Sequence, residues 1–161
     1  MSANVINGTD LCLFITTGST KKCIALATTC KIGVTMSTRK IASKDSGIWE
    51  DSAVGRMSWT CDSDQLFTQD FSGVSQTGTT ANTANSGFTY DSLMDLMIAR
   101  TPIVITVGAV TTSGMGYQQT LGTGRNLTGT ALITKLDLNA KDNDNATYTI
   151  TMEGTGALTH A

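Results

Sequence analysis

Apolar and polar residues alternate along most of this chain with the period of two that marks a half-buried strand. Leu11, Leu13 and Ile15 alternate with Cys12, Phe14 and Thr16, and residues 22–27 predict a short second strand. Ile32, Val34, Met36 and Thr38 alternate with Gly33, Thr35, Ser37 and Arg39, which predicts a long half-buried strand running toward Ser43. Lys44, Asp45, Ser46 and Gly47 carry turn chemistry. Residues 48–56 read as an extended loop or arm. Met57, Trp59 and Cys61 then alternate with Ser58, Thr60 and Asp62 as another strand. Residues 71–87 are polar and glycine-rich, the composition of a loop or insertion.

One helix is signalled. Ser92 and Asp95 have the spacing of a capping box. Leu93, Leu96, Met97 and Arg100 follow helical spacing, and Pro102 disfavours the helical region at Thr101. Ile103, Ile105 and Val107 predict the next strand, and residues 111–129 read as a Gly/Thr-rich connection. The chain closes on a hairpin. Leu132, Thr134, Leu136 and Leu138 share one face, Ala140–Asn145 turn the chain, and Tyr148, Ile150 and Met152 return on the inner face. One helix cannot cover both faces of a sheet, so the pattern predicts a mainly β fold over residues 1–161: a β-sandwich or half-barrel with one flanking helix. The expected core comprises Trp59, Leu93, Leu96, Met97, Ile105, Leu136 and Ile150.

Composition adds a second theme. Charged residues are only 15% of the chain, against about a quarter in an average soluble domain. A charge-poor surface is easily buried against neighbours; an ordinary β domain with a Thr/Ser-rich surface is the alternative. The charges are also unevenly placed. Residues 1–44 hold six Lys/Arg and one acid, whereas residues 45–99 hold eight acids and one base. Unlike faces on one subunit suit head-to-tail association, unless the two segments fold side by side and neutralise each other.

Dedicated chemistry is absent. The one histidine, His160, stands next to the last residue, a poor place for a catalytic base. Cys12, Cys23, Cys30 and Cys61 match no zinc spacing and read as reduced, packed thiols. Asp142-Asn-Asp-Asn lacks the fifth ligand and the glycine of a calcium loop. Acid pairs such as Asp62 and Asp64 have no partner group for acid–base work, and pI ≈ 5.2 disfavours specific DNA binding. No secretory signal and no membrane-length apolar run is present. The expectation is a non-enzyme with no cofactor, no metal and no membrane partner.

In four ordered places the chain resembles the tail tube, or major tail, proteins of long-tailed bacteriophages. A long strand ends in Thr38–Ser43 and runs into Lys44–Gly47 with Trp49 beyond. Ser58-Trp59-Thr60 opens the next strand. A short helix, Tyr90 to Ala99, leads into Thr101-Pro102 and an apolar strand. The carboxyl-terminal part runs Gly129-Thr-Ala-Leu-Ile-Thr-Lys-Leu, a polar turn, Asn145-Ala-Thr-Tyr-Thr-Ile and Glu153-Gly-Thr-Gly-Ala-Leu. The segment 71–87 is longer and more polar than the usual link.

The resemblance implies a structural virion protein, assembled in the host cytoplasm, whose subunits close into hexameric rings that stack into a hollow tail tube for DNA ejection. The type VI secretion tube shares that architecture. Implied partners are further copies of the chain, the tape measure, terminator and baseplate or tip proteins, and DNA in transit. A phage decoration or fibre module, or another β-sandwich binding module, is the alternative. Expected subunit contacts lie on a 44–56 arm, at Lys44, Asp45, Ser46, Gly47, Trp49, Glu50, Asp51 and Arg56. Expected lumen residues are Lys135, Asp137, Thr149, Thr151 and Glu153.

Overall fold

The computed structural model describes residues 6, 8–24, 27–41, 44–45, 47–67, 88–111 and 120–160. The 71–87 segment therefore lies outside the described residues, as does Ser46. The strands are β1 (Leu11–Thr17), β2 (Thr20–Cys23), β3 (Lys31–Ile41), β4 (Asp51–Leu66), β5 (Ile103–Thr111), β6 (Thr120–Leu121), β7 (Leu127–Asn139), β8 (Thr147–Gly154) and β9 (Thr159–His160). Helix α1 (Tyr90–Ile98) stands between β4 and β5.

All nine strands belong to one antiparallel sheet of order β2-β1-β5-β7-β8-β4-β3, with β6 on β5 and β9 on β7. Of the sandwich and half-barrel forms, the curled single sheet is the one observed. The chain leaves β2 at Cys23, yet Ala27 already bridges to Gln65 of β4. Four residues reach roughly 14 Å, whereas the five strand spacings from β2 to β4 would cover about 24 Å in a flat sheet. The sheet must curl, and Ile24 and residues 27–30 lie between its two sides. Asp64 secures the crossing: its carbonyl accepts from the Thr28 amide at 2.8 Å, and its carboxylate accepts from Thr29 Oγ1 at 2.9 Å and Thr149 Oγ1 at 2.7 Å.

The concave side holds the core. Leu13, Ile15, Ile24, Trp59, Cys61, Leu93, Ile105, Ile150 and Met152 pack together, with Leu96 and Leu136 partly buried against them. Met97 is half-buried. Phe14 and Thr106, on the opposite face of β1 and β5, are also fully buried, so this part of the sheet is covered on both sides.

Several boundaries differ from the sequence pattern for identifiable reasons. The second strand is Thr20–Cys23, not 22–27, because Gly18 (φ 62°) opens a two-residue turn that brings Thr20 opposite Thr17. The fourth strand begins at Asp51, so most of the expected loop is paired backbone. The 111–129 connection contains β6 and the start of β7. Helix α1 starts at Tyr90 with Thr89 as N-cap, ahead of the Ser92–Asp95 pair. Tertiary packing explains the early start, since the Tyr90 ring stands edge-on to Phe67 and Tyr148 at 5.4 and 5.3 Å.

In the last hairpin a bulge between Ile133 and Lys135 shifts the register. Ala131 and Ile133 face the core before it and Leu136 after it, while Leu132 pairs with Glu153 on the outer face. Leu132, Thr134 and Leu136 therefore do not share a face, because one extra residue in a period-two pattern exchanges the two sides.

Candidate assembly surfaces

Strand β4 pairs with β8 only as far out as Thr60. Beyond that point β3 and β4 continue together from Val34↔Trp59 to Ile41↔Asp51, as a two-stranded ribbon with no third strand among the described residues. Eight residues on β3 extend this ribbon by roughly 27 Å at strand rise. A bulge between Met36 and Thr38 kinks it, where Ser37 Oγ donates to the Arg56 carbonyl at 3.1 Å. Lys40 Nζ meets Glu50 Oε1 at 2.6 Å near the tip.

The ribbon is unusually apolar for an exposed element. Val34, Met36 and Met57 continue the line of buried Trp59 outward along one face. Toward the tip, Trp49 is 82% exposed, Ile48 97% and Val54 75%. The expected half-buried character of the third strand holds only at its base, because among the described residues no layer lies beneath the rest. Lys44, Asp45, Glu50, Asp51 and Arg56 are exposed on the same ribbon, and Gly47 precedes its apolar tip. An isolated two-stranded ribbon is marginally stable in water, so this one is built to be covered.

A second surface is the outer face of β7, β8 and β4. Lys135 pairs with Thr151, Asp137 with Thr149, Asp62 with Thr151 and Asp64 with Thr149. Glu153 lies on the same face opposite Thr60 and Leu132. The structure thus brings the five expected lumen residues onto one face, away from the core, with Asp62 and Asp64 beside them. Acids outnumber bases there, and the Lys135 ammonium is paired with Asp137.

Trp59 joins the ribbon to the body. Its ring lies directly on the backbone of Gly154 and against Gly129, and Nε1 donates to the Gly156 carbonyl at 2.9 Å. The indole is seated where a β-carbon would stand. Sequence periodicity places Trp59 inward but gives no hint of this seat.

The charge segregation is met within the fold at two positions of β3. Lys31 is the cross-strand partner of Asp62, and Lys40 pairs with Glu50. Lys21 and Lys22 lie on β2 at the far edge and form no ion pair among the described residues.

Among the described residues no group of three or more His, Cys, Asp or Glu is arranged to hold a metal ion, and no helix is long and apolar enough to cross a membrane. The Asp142–Asn145 segment is an exposed turn in which Asp144 Oδ1 accepts from the Asn145 amide at 2.8 Å. The four cysteines, scattered in sequence, come together as two pairs: Cys12 with Cys23 and Cys30 with Cys61.

No family model and no curated protein matches the sequence. Solved structures do match. The tail of an empty gene transfer agent particle, determined with C6 symmetry, superposes with a TM-score of 0.71 at 18% identity, covering 98% of this chain and 99% of the other. A subunit of the SPP1 tail tube gives 0.60 at 11% identity, covering 96% and 78%. The chain has a tail-tube fold. A subunit of the sixfold-symmetrised baseplate of the anti-feeding prophage gives 0.63 at 7% identity, covering 100% and 97%. The tail-tube fold is thus shared over almost the whole chain despite little sequence in common.

Proposed function

We propose that this protein is a structural subunit of a phage-type tail, forming hexameric rings that stack into a hollow tube for DNA passage. The observation that carries the reading is the exposed apolar ribbon of β3 and β4 on a chain with a tail-tube fold. Ile48, Trp49, Val54 and Met57 would be an aggregation liability on a free monomer and gain their burial against a neighbouring copy. A repeated head-to-tail contact of this kind closes rings and stacks them without a twofold axis. The C6 symmetry of the gene transfer agent tail supports six copies per ring.

In this reading the outer face of β7 and β8, with Lys135, Asp137, Thr149, Thr151 and Glu153, lines the lumen. Its excess of carboxylates repels phosphate, so DNA slides without sticking. The tube ends would meet the tape measure, terminator and baseplate or tip proteins.

Deleting residues 48–54 and imaging the purified protein by electron microscopy tests the proposal. Wild type is expected to form tubes or sixfold rings, and the deletion variant monomers that still unfold cooperatively. Ordinary tubes from the variant would remove the ribbon from the assembly contact. Discrete monomers or trimers from wild type would instead favour a decoration or fibre module.

A further inference from the structure

Where the sheet curls closed, Cys12 and Cys30 line a cavity of about 270 Å³. Its walls are the start of β1, including Cys12, and the crossing segment that ends at Cys30. Each of these half-buried thiols has a buried companion behind it, Cys23 for Cys12 and Cys61 for Cys30.

The strand register explains both pairs. Cys23 is opposite Phe14 on β1, so Cys12 lies one same-face step along from that pairing. Cys61 is opposite Ile32, and Cys30 stands two residues before Ile32, just ahead of β3. Diagonal neighbours of this kind reach each other across antiparallel strands. The thiols within each pair are in hydrogen-bond contact, and Cys23 also has the Ile24 carbonyl within 3.2 Å. Closing a sulfur–sulfur bond from a diagonal position draws the two backbone segments of each pair together. A metal-thiolate site is the other use for clustered cysteines, but the four are not arranged to hold an ion.

We propose that this cavity is an oxidation site, at which hydrogen peroxide converts Cys12 with Cys23, and Cys30 with Cys61, into two disulfides. Peroxide is small enough to enter where water can. The thiolate of the cavity-lining cysteine attacks one peroxide oxygen, giving a sulfenic acid and hydroxide. The buried thiol then attacks the sulfenic sulfur; its proton and the hydroxyl leave as water, and the disulfide remains. Peroxide is reduced to water, and each pair gives up two hydrogens. Contact with the companion thiol lowers Cys12 to about 7 and lowers Cys30, while the same contact and burial raise Cys23 and Cys61. Access from the cavity makes Cys12 and Cys30 the nucleophiles, and burial makes Cys23 and Cys61 the resolving thiols.

The consequence is mechanical. One bridge ties β1 to β2, and the other ties the crossing segment to β4, so both banks of the seam are stapled. On the tail reading above, thiols would stay reduced during assembly in the host and oxidise after release.

Peroxide treatment of the purified full-length protein, followed by alkylation and non-reducing mass spectrometry, tests the site without requiring assembly. Each bridge is expected to remove about 2 Da and to protect its two cysteines from alkylation. Peptide mapping should join Cys12 to Cys23 and Cys30 to Cys61. In the Cys23→Ser variant, Cys12 should remain as a sulfenic acid that dimedone traps, several-fold more than in wild type. Four alkylated cysteines after peroxide, intermolecular bridges, a Cys12–Cys30 bridge, or equal trapping in both proteins would each overturn the proposal.

Discussion

Trp59 is the residue on which the junction of body and ribbon depends. Its indole occupies the space above Gly154 and Gly129 and donates to the Gly156 carbonyl. A β-carbon and methyls at Gly154 would displace the ring, so Gly154→Val should cost about 1–3 kcal/mol from overpacking. Urea unfolding should show a lower midpoint at unchanged m-value. Arg100 is the opposite case. It ends helix α1 in the left-handed conformation (φ 53°), where its amide reaches the Met97 carbonyl at 3.1 Å and Thr101 the Leu96 carbonyl at 3.5 Å. That is a Schellman cap with the wrong residue at the position that glycine prefers. Arg100→Gly should therefore stabilise the fold by about 0.5–1 kcal/mol, after the greater freedom of glycine in the unfolded chain is set against the relieved strain. Thermal unfolding would detect the rise.

At the scale of the element, the β3–β4 ribbon concentrates the argument. Its tip side chains are so exposed that they contribute little to the monomer. The double variant Ile48→Ser, Trp49→Ala should leave monomer stability within about 0.5 kcal/mol. If the tip docks on a neighbour, the same variant should raise the protein concentration at which tubes form, read by sedimentation. Unchanged assembly would mean that the contact lies elsewhere, and a large loss of monomer stability would mean that the tip packs on its own body. The two strands do not cover each other's faces, which is why pairing alone leaves Met36, Val54 and Met57 in water.

For the whole molecule, the sheet order puts β2 at one end of the path and β3 at the other. Lys31 and Lys40 face acids within the hairpin, while Lys21 and Lys22 lie on the far edge. Reversing both to Glu should slow assembly, most at low salt, where charges on separate copies attract with least screening. Light scattering at two salt concentrations would read the difference, and salt-independent kinetics in both proteins would remove these lysines from the interface.

Much of the fold was legible along the chain, because side-chain alternation is a local property of a strand. It located the strands at Leu11–Ile15, from Ile32, from Met57 and from Ile103, the closing hairpin, and the helix before Pro102. The expected lumen residues could be grouped for the same reason, since Thr149, Thr151 and Glu153 alternate without interruption. Alternation fails wherever one residue is inserted, so the bulges at Gly55–Arg56 and Thr134 and the face of Leu132 were not readable. Strand period also gives no length for an unsupported ribbon: β3 and β4 continue outward by pairing with each other, a non-local match that the loop-like composition of residues 48–56 conceals. The meeting of Cys12, Cys23, Cys30 and Cys61 and the Asp64 clasp exist only because the sheet curls. That curl is decided by which distant strands pair, and no segment of the sequence carries it alone.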